Sequence, residues 1–107
     1  MAAPPVRLFV YGSLKRGGRH HAELQNSRFL GEATTAPGHA VIQLGDYPAL
    51  IQADDGVVTG ELFEVPESLL PALDELEGDA YVRQNLAVRV AGATDLALAL
   101  AYFHNAR

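Results

Sequence analysis

The chain has 107 residues, 49% of them apolar, and a formal net charge of −5. This length predicts one domain, residues 1–107, with a single buried core. The absence of cysteine excludes disulfides, thiolate metal sites and a cysteine nucleophile, and it is typical of proteins of the reducing cytoplasm.

Charge and hydropathy argue against nucleic acid and membrane as partners. Only Lys15, Arg16 and Arg19 cluster among the basic residues, so the sequence lacks the basic surface of a nucleic-acid-binding protein. No apolar run approaches the roughly 18 residues of a membrane span, and residues 1–5 lack the features of a signal peptide. We therefore predict a soluble cytoplasmic protein with a small-molecule partner, and with no nucleic acid and no membrane as partner. The apolar content is compatible with a homodimer, and the excess of arginine over lysine is typical of a bacterium with a GC-rich genome.

Strand patterns dominate the chain. Val6 to Tyr11 is a nearly continuous apolar run that predicts a buried strand, ending at Gly12. Further strands are predicted at 29–36, 39–44, 49–53, 57–65, 81–90 and 96–103, with turns at 36–38 and 45–48. Asp54-Asp55-Gly56 predicts a hairpin between the strands on either side of it. In 96–103 leucine alternates with alanine, which is typical of a strand in a tight barrel.

Two helical segments are predicted. The stronger is Pro66 to Glu77, which has proline at its start, Glu67 in its first turn and Gly78 just past its end. Residues 19–26 favour a second, short helix. The elements together predict an α+β fold, built on a small curved or closed sheet with short helices.

The first candidate site is the loop Tyr11-Gly12-Ser13-Leu14, which follows the first strand. Such a loop can direct several backbone N–H groups at an anion; the alternative is an ordinary strand-to-helix turn. Gly12 and Gly17 have P-loop spacing, but Gly18-Arg19 stands where lysine and serine or threonine are required, which excludes a nucleotide site. Ser13 lacks a Gly-x-Ser-x-Gly context and an identifiable histidine partner, so we interpret it as a hydrogen-bond donor.

The second candidate is Glu77. A helical wheel places it within a buried stripe of about 120°, between Leu73 and Leu70. The stripe consists of Leu69, Leu70, Leu73 and Leu76. Burial and the helix dipole are both expected to raise the pKa of Glu77 toward the range useful for proton transfer. The alternative is that the helix frays at Gly78 and Glu77 reaches water; Asp74 and Glu75 are predicted to be solvated.

The remaining polar residues give weaker signals. His20 and His21 are adjacent and lack a suitably spaced acidic partner, so no metal site is predicted. Tyr81 and Arg83 share one strand face, which is either solvent-exposed or a pocket wall. Tyr47 and Tyr102 belong either to the core or to a cavity wall.

Four segments together resemble one known family. Phe9 to Gly17 resembles the signature loop of the gamma-glutamylcyclotransferase-like proteins, in the branch that includes gamma-glutamylamine cyclotransferase. Leu73 to Gly78, followed by Tyr81-Val82-Arg83, is similar to the acidic segment of that family. Val58 to Phe63 and Ala101-Tyr102 resemble two of its strands, so the likeness covers nearly the whole chain.

The resemblance implies a small mixed barrel-like sheet with flanking helices and a cavity at one end. It implies that Glu77 is the catalytic acid and base and that the loop from Tyr11 to Leu14 holds the substrate. The expected substrate contacts are Tyr11, Gly12, Ser13, Leu14, Tyr47, Tyr81, Arg83 and Tyr102. The implied reaction releases 5-oxoproline from a gamma-glutamyl amine or amino acid without a cofactor; the alternative is a non-catalytic module that binds a small molecule in the same pocket.

Overall fold

The computed structural model describes residues 4–24 and 26–105. These residues form seven strands and one α-helix, which confirms the predicted α+β class. The strands are β1 (Val6–Val10), β2 (Arg28–Thr35), β3 (His39–Leu44), β4 (Tyr47–Gln52), β5 (Thr59–Val65), β6 (Tyr81–Val90) and β7 (Ala97–His104). The α-helix, α1, spans Leu70–Glu77, and short 3-10 turns lie at His21–Leu24 and Glu67–Leu69.

Five of the strands close into a barrel. The sheet order is β1-β5-β2-β6-β7-β4-β3, and β1 also pairs in parallel with β7, which closes the first five strands. The β3–β4 hairpin extends the sheet beyond the barrel, with β4 parallel to β7. A closed barrel leaves no exposed edge among its own strands.

The core has two parts that share strand β1. Phe9 belongs to the cluster inside the barrel, together with Leu62, Val88 and Phe103. Its neighbours Leu8 and Val10 point to the opposite face, where they pack with the helical residues Leu70 and Leu73. Both faces of β1 are thus buried, which explains why its sequence is continuously apolar.

Small residues allow the barrel to close tightly. Ala99 and Ala101 of β7 are buried in the interior cluster, while Leu98, next to Ala99, is 70% exposed and Leu100 packs against the other part of the core, which confirms the predicted barrel strand. On β5, a Cβ atom at Gly60 would lie 2.3 Å from the carbonyl oxygen of Val10 and 2.8 Å from the ring of Phe9. Only glycine permits this close approach of β5 to β1.

Two predicted connections are wrong. Asp54-Asp55-Gly56 does not form a hairpin, because β4 pairs with β3 and β7 whereas β5 pairs with β1 and β2. Instead the carbonyl of Gly56 accepts hydrogen bonds from the N–H groups of Gly38 and His39. The predicted turn at 45–48 is shorter than expected: the turn is Gly45-Asp46, and Tyr47 and Pro48 belong to β4.

The helical predictions hold with shorter bounds. The segment that begins at Pro66 forms a 3-10 turn before α1, and the proline at position 71 lies in the first turn of α1, where its missing N–H is tolerated. Gly78 ends α1 with a positive φ of 74°, and its N–H donates to the carbonyl of Asp74. Of the described residues within 19–26, His21–Leu24 form a single 3-10 turn and none is α-helical, so the second helix is shorter and tighter than expected. Among the described residues, no helix has both the length and the apolar character needed to cross a membrane.

The hydroxyl of Tyr11 joins three parts of the sheet where β1 ends. It donates a hydrogen bond to the carbonyl of Tyr102 at 2.6 Å and accepts one from the N–H of Leu50 at 3.0 Å. Leu50 is fully buried on β4, and Tyr102 lies on β7. The phenol therefore satisfies backbone groups at the β4–β7 junction from the end of β1.

The fold thus predicts that Tyr11→Phe is destabilising. The N–H of Leu50 would be left buried without a partner, which costs about 1–3 kcal/mol. Urea unfolding followed by circular dichroism measures the loss. The matched control is Tyr47→Phe: the ring of Tyr47 is largely exposed, and its hydroxyl makes no hydrogen bond to the described residues, so a change within about 0.5 kcal/mol is expected. Equal stability of the two variants would contradict the role given to Tyr11.

Candidate active site

A cleft opens between the loop that follows β1 and the carboxyl end of α1. The cleft is narrow, with a volume of about 40 Å³, and its mouth is open to solvent. The lining residues are Phe9, Val10, Tyr11, Gly12, Ser13, Leu14, Tyr47, Pro48, Glu77, Tyr81 and Tyr102. Every site residue predicted from the sequence is among them except Arg83.

The loop is held in shape by one backbone hydrogen bond and one histidine side chain of its own. The carbonyl of Ser13 accepts from the N–H of His20 at 2.9 Å, and the carbonyl of Leu14 accepts from Nδ1 of His21 at 2.9 Å. A Cβ atom at Gly18 would lie 2.3 Å from the Ser13 carbonyl oxygen, so this fold of the loop requires glycine there. The loop is thus a defined structure and not only a connection.

A buried carboxylate on β5 fixes the far side of the loop. Glu61, which is 9% exposed, accepts hydrogen bonds from the backbone N–H of Arg16 at 2.7 Å and from its Nε at 3.3 Å. The same guanidinium lies 3.6 Å above the ring of Phe29. These contacts join the loop to the barrel wall.

Three backbone donors of the loop are unused within the described part of the chain. Among the hydrogen bonds of the described residues, none is donated by the N–H of Gly12, Ser13 or Leu14. All three residues line the cleft. Consecutive backbone N–H groups without an internal acceptor can bind a carboxylate or an oxyanion.

Glu77 faces this loop from the last turn of α1. It is half-buried, and within the described part of the chain its carboxylate makes no hydrogen bond and no ion pair. Burial raises the pKa of Glu77 above its ordinary value. The helix does not fray before this residue, so the carboxylate is held in the cleft.

Three phenols surround Glu77 and remain protonated. Burial raises the pKa of Tyr11, Tyr81 and Tyr102, and the negative charge of Glu77 raises each of them further. Tyr81 donates its hydroxyl to the carbonyl of Pro48 at 2.8 Å. The carboxylate therefore lies among neutral polar groups, and no lysine, arginine or histidine is among the described residues that line the cleft with it.

Arg83 lies outside the cleft, where it binds α1. Its Nε and Nη2 contact the two oxygens of Asp74 at 2.9 and 3.0 Å, and the hydroxyl of Tyr102 donates to the same carboxylate at 2.6 Å. Arg83 and Tyr102 face each other across β6 and β7. Asp74, which we expected to be merely solvated, thus fixes the helix three residues before Glu77. The hydrogen bond from Arg83, and to a smaller extent the one from Tyr102, lowers the pKa of Asp74.

The structure corrects two further expectations. The leucine stripe of α1 is buried at Leu70 and Leu73, but Leu76 is 39% exposed. Ser13 does have a histidine neighbour: Nδ1 of His20 lies 3.2 Å from its Oγ. Sequence periodicity predicts contacts within helices and strands but not across an irregular loop, so the contact between Ser13 and His20 is seen only in the structure.

The described residues suggest no metal centre. Nowhere in residues 4–24 and 26–105 do three or more histidine, cysteine, aspartate or glutamate side chains come together as a metal would need. The polar groups of the cleft are one carboxylate, the hydroxyl of Ser13, backbone donors and phenols, which suit an organic ligand.

The Asp74 contacts lead to a prediction about stability. The pKa of Asp74 is lower in the folded state than in the unfolded chain, so its contribution is present at neutral pH and is lost as pH falls below about 3.9 through the folded pKa. Asp74→Asn should cost about 0.5–1 kcal/mol at pH 7, since the pair is partly exposed. The gap between parent and variant should narrow at pH 3.

Urea unfolding at both pH values tests this expectation. Glu75→Gln is the control, because Glu75 is an exposed carboxylate on the same helix and should change stability little at either pH. A gap for Asp74→Asn that stays constant with pH would show that the ionised carboxylate is not what stabilises the helix.

Comparisons with known proteins agree with the sequence motifs. A family model described as "Gamma-glutamyl cyclotransferase, AIG2-like" matches residues 8–107. A relative from Vibrio cholerae serotype O1 is 43% identical over 70 residues, which are 65% of this chain and 60% of the relative. The gamma-glutamylaminecyclotransferase of Rattus norvegicus is 34% identical over 96 residues, which are 79% of this chain and 64% of the relative. In both cases the match spans less than two thirds of the relative's length.

The fold is also shared with a solved structure. The crystal structure of an AIG2-like protein from Mus musculus superimposes with a TM-score of 0.86 at 27% identity, covering 98% of this chain and 80% of that one. The fold that the sequence motifs implied is therefore confirmed. Since the family model matches residues 8–107, the chain belongs to the gamma-glutamyl cyclotransferase, AIG2-like family.

Proposed function

We propose that the protein releases 5-oxoproline from a gamma-glutamyl amine or a gamma-glutamyl amino acid, with Glu77 as general acid and base. The observation that carries the proposal is that one cleft holds a half-buried carboxylate and a loop with backbone N–H donors, neither of which has a partner among the described residues. The family and the rat relative are named for this type of reaction.

The reaction is an intramolecular aminolysis. The α-amine nitrogen of the gamma-glutamyl group attacks its own γ-carbonyl carbon, and a new C–N bond closes the five-membered ring. The original amide C–N bond then breaks and the leaving amine takes a proton. No water is consumed, and the protein needs to supply no nucleophile, only a folded substrate and a proton carrier.

Glu77 is suited to carry the proton in both directions. Its ionised form accepts a proton from the attacking ammonium, and its protonated form returns it to the departing nitrogen. A raised pKa brings these two forms closer in free energy near neutral pH, which favours both steps.

The loop after β1 binds the negatively charged groups of the substrate in this proposal. The N–H groups of Gly12, Ser13 and Leu14 bind either the α-carboxylate of the glutamyl group or the oxyanion that develops on the γ-carbonyl. The contacts of Glu61 and His21 keep these donors in place before substrate arrives, so little ordering is required on binding.

Replacing Glu77 tests the proposal directly. Glu77→Gln should lower the rate of 5-oxoproline release by about 10²–10⁴-fold, because the glutamine amide cannot exchange protons. The measurement is mass spectrometry of 5-oxoproline after incubation with a panel of gamma-glutamyl amines and amino acids. Glu75→Gln, an exposed carboxylate two residues earlier, should retain the parental rate.

The folding of the variant can be checked in the same experiment. The pKa of Glu77 is higher in the folded state, so the ionised carboxylate costs stability above its pKa, and Glu77→Gln should melt no lower than the parent at pH 7. A Gln variant that turned over substrate at the parental rate would overturn the mechanism. Binding of a gamma-glutamyl compound by the parent without 5-oxoproline release would favour a non-catalytic binding module.

The raised pKa of Glu77 also predicts the acid limb of the pH profile. The base is ionised only above its pKa, so kcat/KM should fall as pH decreases through that pKa, with an inflection above the ordinary glutamate value of about 4.3. Steady-state rates across pH 4–8 measure the limb. The residual activity of Glu77→Gln should lack this acid limb. If the variant showed the same limb, the limb would belong to a group other than Glu77.

A further inference from the structure

Strand β3 forms a free edge of the sheet. It pairs with β4 on one side, and in the described part of the chain the sheet has no strand on its other side. The barrel strands have no such edge, because β1 closes on β7. An uncovered edge presents unpaired N–H and C=O groups to any strand that can align with it.

The pairing with β4 shows which groups of β3 face outward. In an antiparallel ladder, alternate residues bond to the neighbouring strand. Gln43 lies opposite Pro48, which has no N–H to donate. Val41 lies opposite Leu50, whose N–H bonds to Tyr11 and not to β3. Val41 and Gln43 therefore direct their backbone N–H and C=O groups away from β4.

These outward groups are unused within the protein. Among the hydrogen bonds of residues 4–24 and 26–105 outside the β3–β4 ladder, none is made by the backbone of Val41 or Gln43. His39 has the same orientation, but its N–H donates to the carbonyl of Gly56. Val41 and Gln43 are both exposed. The open part of the edge is thus short and well defined.

The strand lacks the features that usually keep an edge from pairing. β3 is six residues long and contains no lysine, arginine, aspartate, glutamate or proline. Its register with β4 is regular, whereas the register of β2 with β5 shifts between Phe29 and Gly31. Charged side chains, prolines and bulges are the means by which soluble proteins prevent edge-to-edge association. The edge of β3 is therefore open to another strand.

The sequence of β3 is complementary to a second copy of itself. When two copies run antiparallel with Ile42 at the twofold axis, Val41 lies opposite the partner's Gln43, and the two residues exchange both hydrogen bonds. Both outward-facing residues of each copy are then paired. On one face of the joined strands, the apolar side chains of Ala40, Ile42 and Leu44 meet the same three side chains of the partner.

The charges at the ends of the strand agree with this arrangement. His39 begins β3, and Asp46 follows it in the turn. Antiparallel pairing places the Asp46 end of one copy beside the His39 end of the other. A carboxylate then meets a side chain that can carry a positive charge, which favours association. A parallel arrangement would instead bring the two Asp46 carboxylates together.

We propose that two copies of the protein associate through β3, in an antiparallel pair centred on Ile42, and form a twofold-symmetric dimer with one continuous sheet. The inference does not depend on the proposed function. A pair of short strands buries less surface than a standard protein interface, so we expect a weak dimer whose population rises with protein concentration.

Single cysteines test the register, because the chain has no cysteine of its own. In the proposed pair the Cα atoms of the two Ile42 residues lie about 4.5 Å apart, which a disulfide spans. Leu44 lies opposite the partner's Ala40, so the Cα atoms of the two Leu44 residues are about 13 Å apart along the strands. Under mild oxidation Ile42→Cys should become mostly a covalent dimer on a non-reducing gel, and Leu44→Cys should stay a monomer.

A mixture gives a second test of the same register. Leu44→Cys mixed with Ala40→Cys should form the disulfide, although neither variant forms it alone, because only the antiparallel pair brings positions 40 and 44 together. A parallel pair would crosslink each variant by itself.

Lysine substitutions test the association without a crosslink. Ile42→Lys places two like charges directly opposite each other, and Val41→Lys adds a charge at an exposed position of the same edge. Both variants should remain monomeric in sedimentation velocity at concentrations where the parent dimerises. Leu98→Lys is the matched control, because Leu98 is 70% exposed on β7, and it should dimerise as the parent does. Circular dichroism checks that each variant is folded.

Three outcomes would contradict the proposal. A parent protein that stays monomeric from micromolar to millimolar concentration would overturn the dimer and leave the edge to a strand of another protein. Dimers that persist in both lysine variants would place the interface elsewhere on the surface. Crosslinking of Leu44→Cys alone, as readily as Ile42→Cys, would overturn the antiparallel register.

Discussion

The hydroxyl of Tyr11 is the contact on which the barrel and the cleft both depend. Among the described residues β1 pairs with β7 at Leu8 and Leu100, and β4 pairs with β7 at Leu50 and Phe103. At this junction the phenol bonds backbone groups of β4 and β7. Since Tyr11 is also the first residue of the loop, the interaction that joins the sheet fixes where the loop begins.

Two carboxylates three residues apart on α1 have opposite environments. Asp74 bonds to Arg83 and Tyr102, which lowers its pKa, whereas Glu77 has no partner in the described residues and burial raises its pKa. The first arrangement stabilises the folded state at neutral pH and the second destabilises it. The Asp74 contacts therefore help to hold the Glu77 carboxylate in the cleft, although this carboxylate would be more stable in water. Opposite pKa shifts of two neighbouring carboxylates are typical of sites that transfer protons.

The sequence predicted those features that depend on local pattern. The continuous apolar run of β1, the alternation in β6 and β7, and the end of α1 at Gly78 follow from periodicity and capping, and each is observed. The strand pairing predicted at Asp54-Asp55-Gly56 is wrong, since β5 pairs instead with the distant strands β1 and β2. The contact of Arg83 with Asp74 also depends on how distant elements pack, so the strand pattern around Arg83 could not show whether it faces the cleft or the helix. The Ser13–His20 contact likewise forms only in the folded loop.

In the proposed reaction, the position of Glu77 explains how one carboxylate can serve two steps. The loop residues with unused backbone donors and the carboxylate of Glu77 line the same cleft. A substrate held at both ends would keep the attacking and the leaving nitrogen within reach of the same carboxylate, so the proton moves a short distance and Glu77 need not change position. Positioning of this kind lowers the entropic part of the barrier, and it gives the leaving-group side an influence on rate as well as on binding.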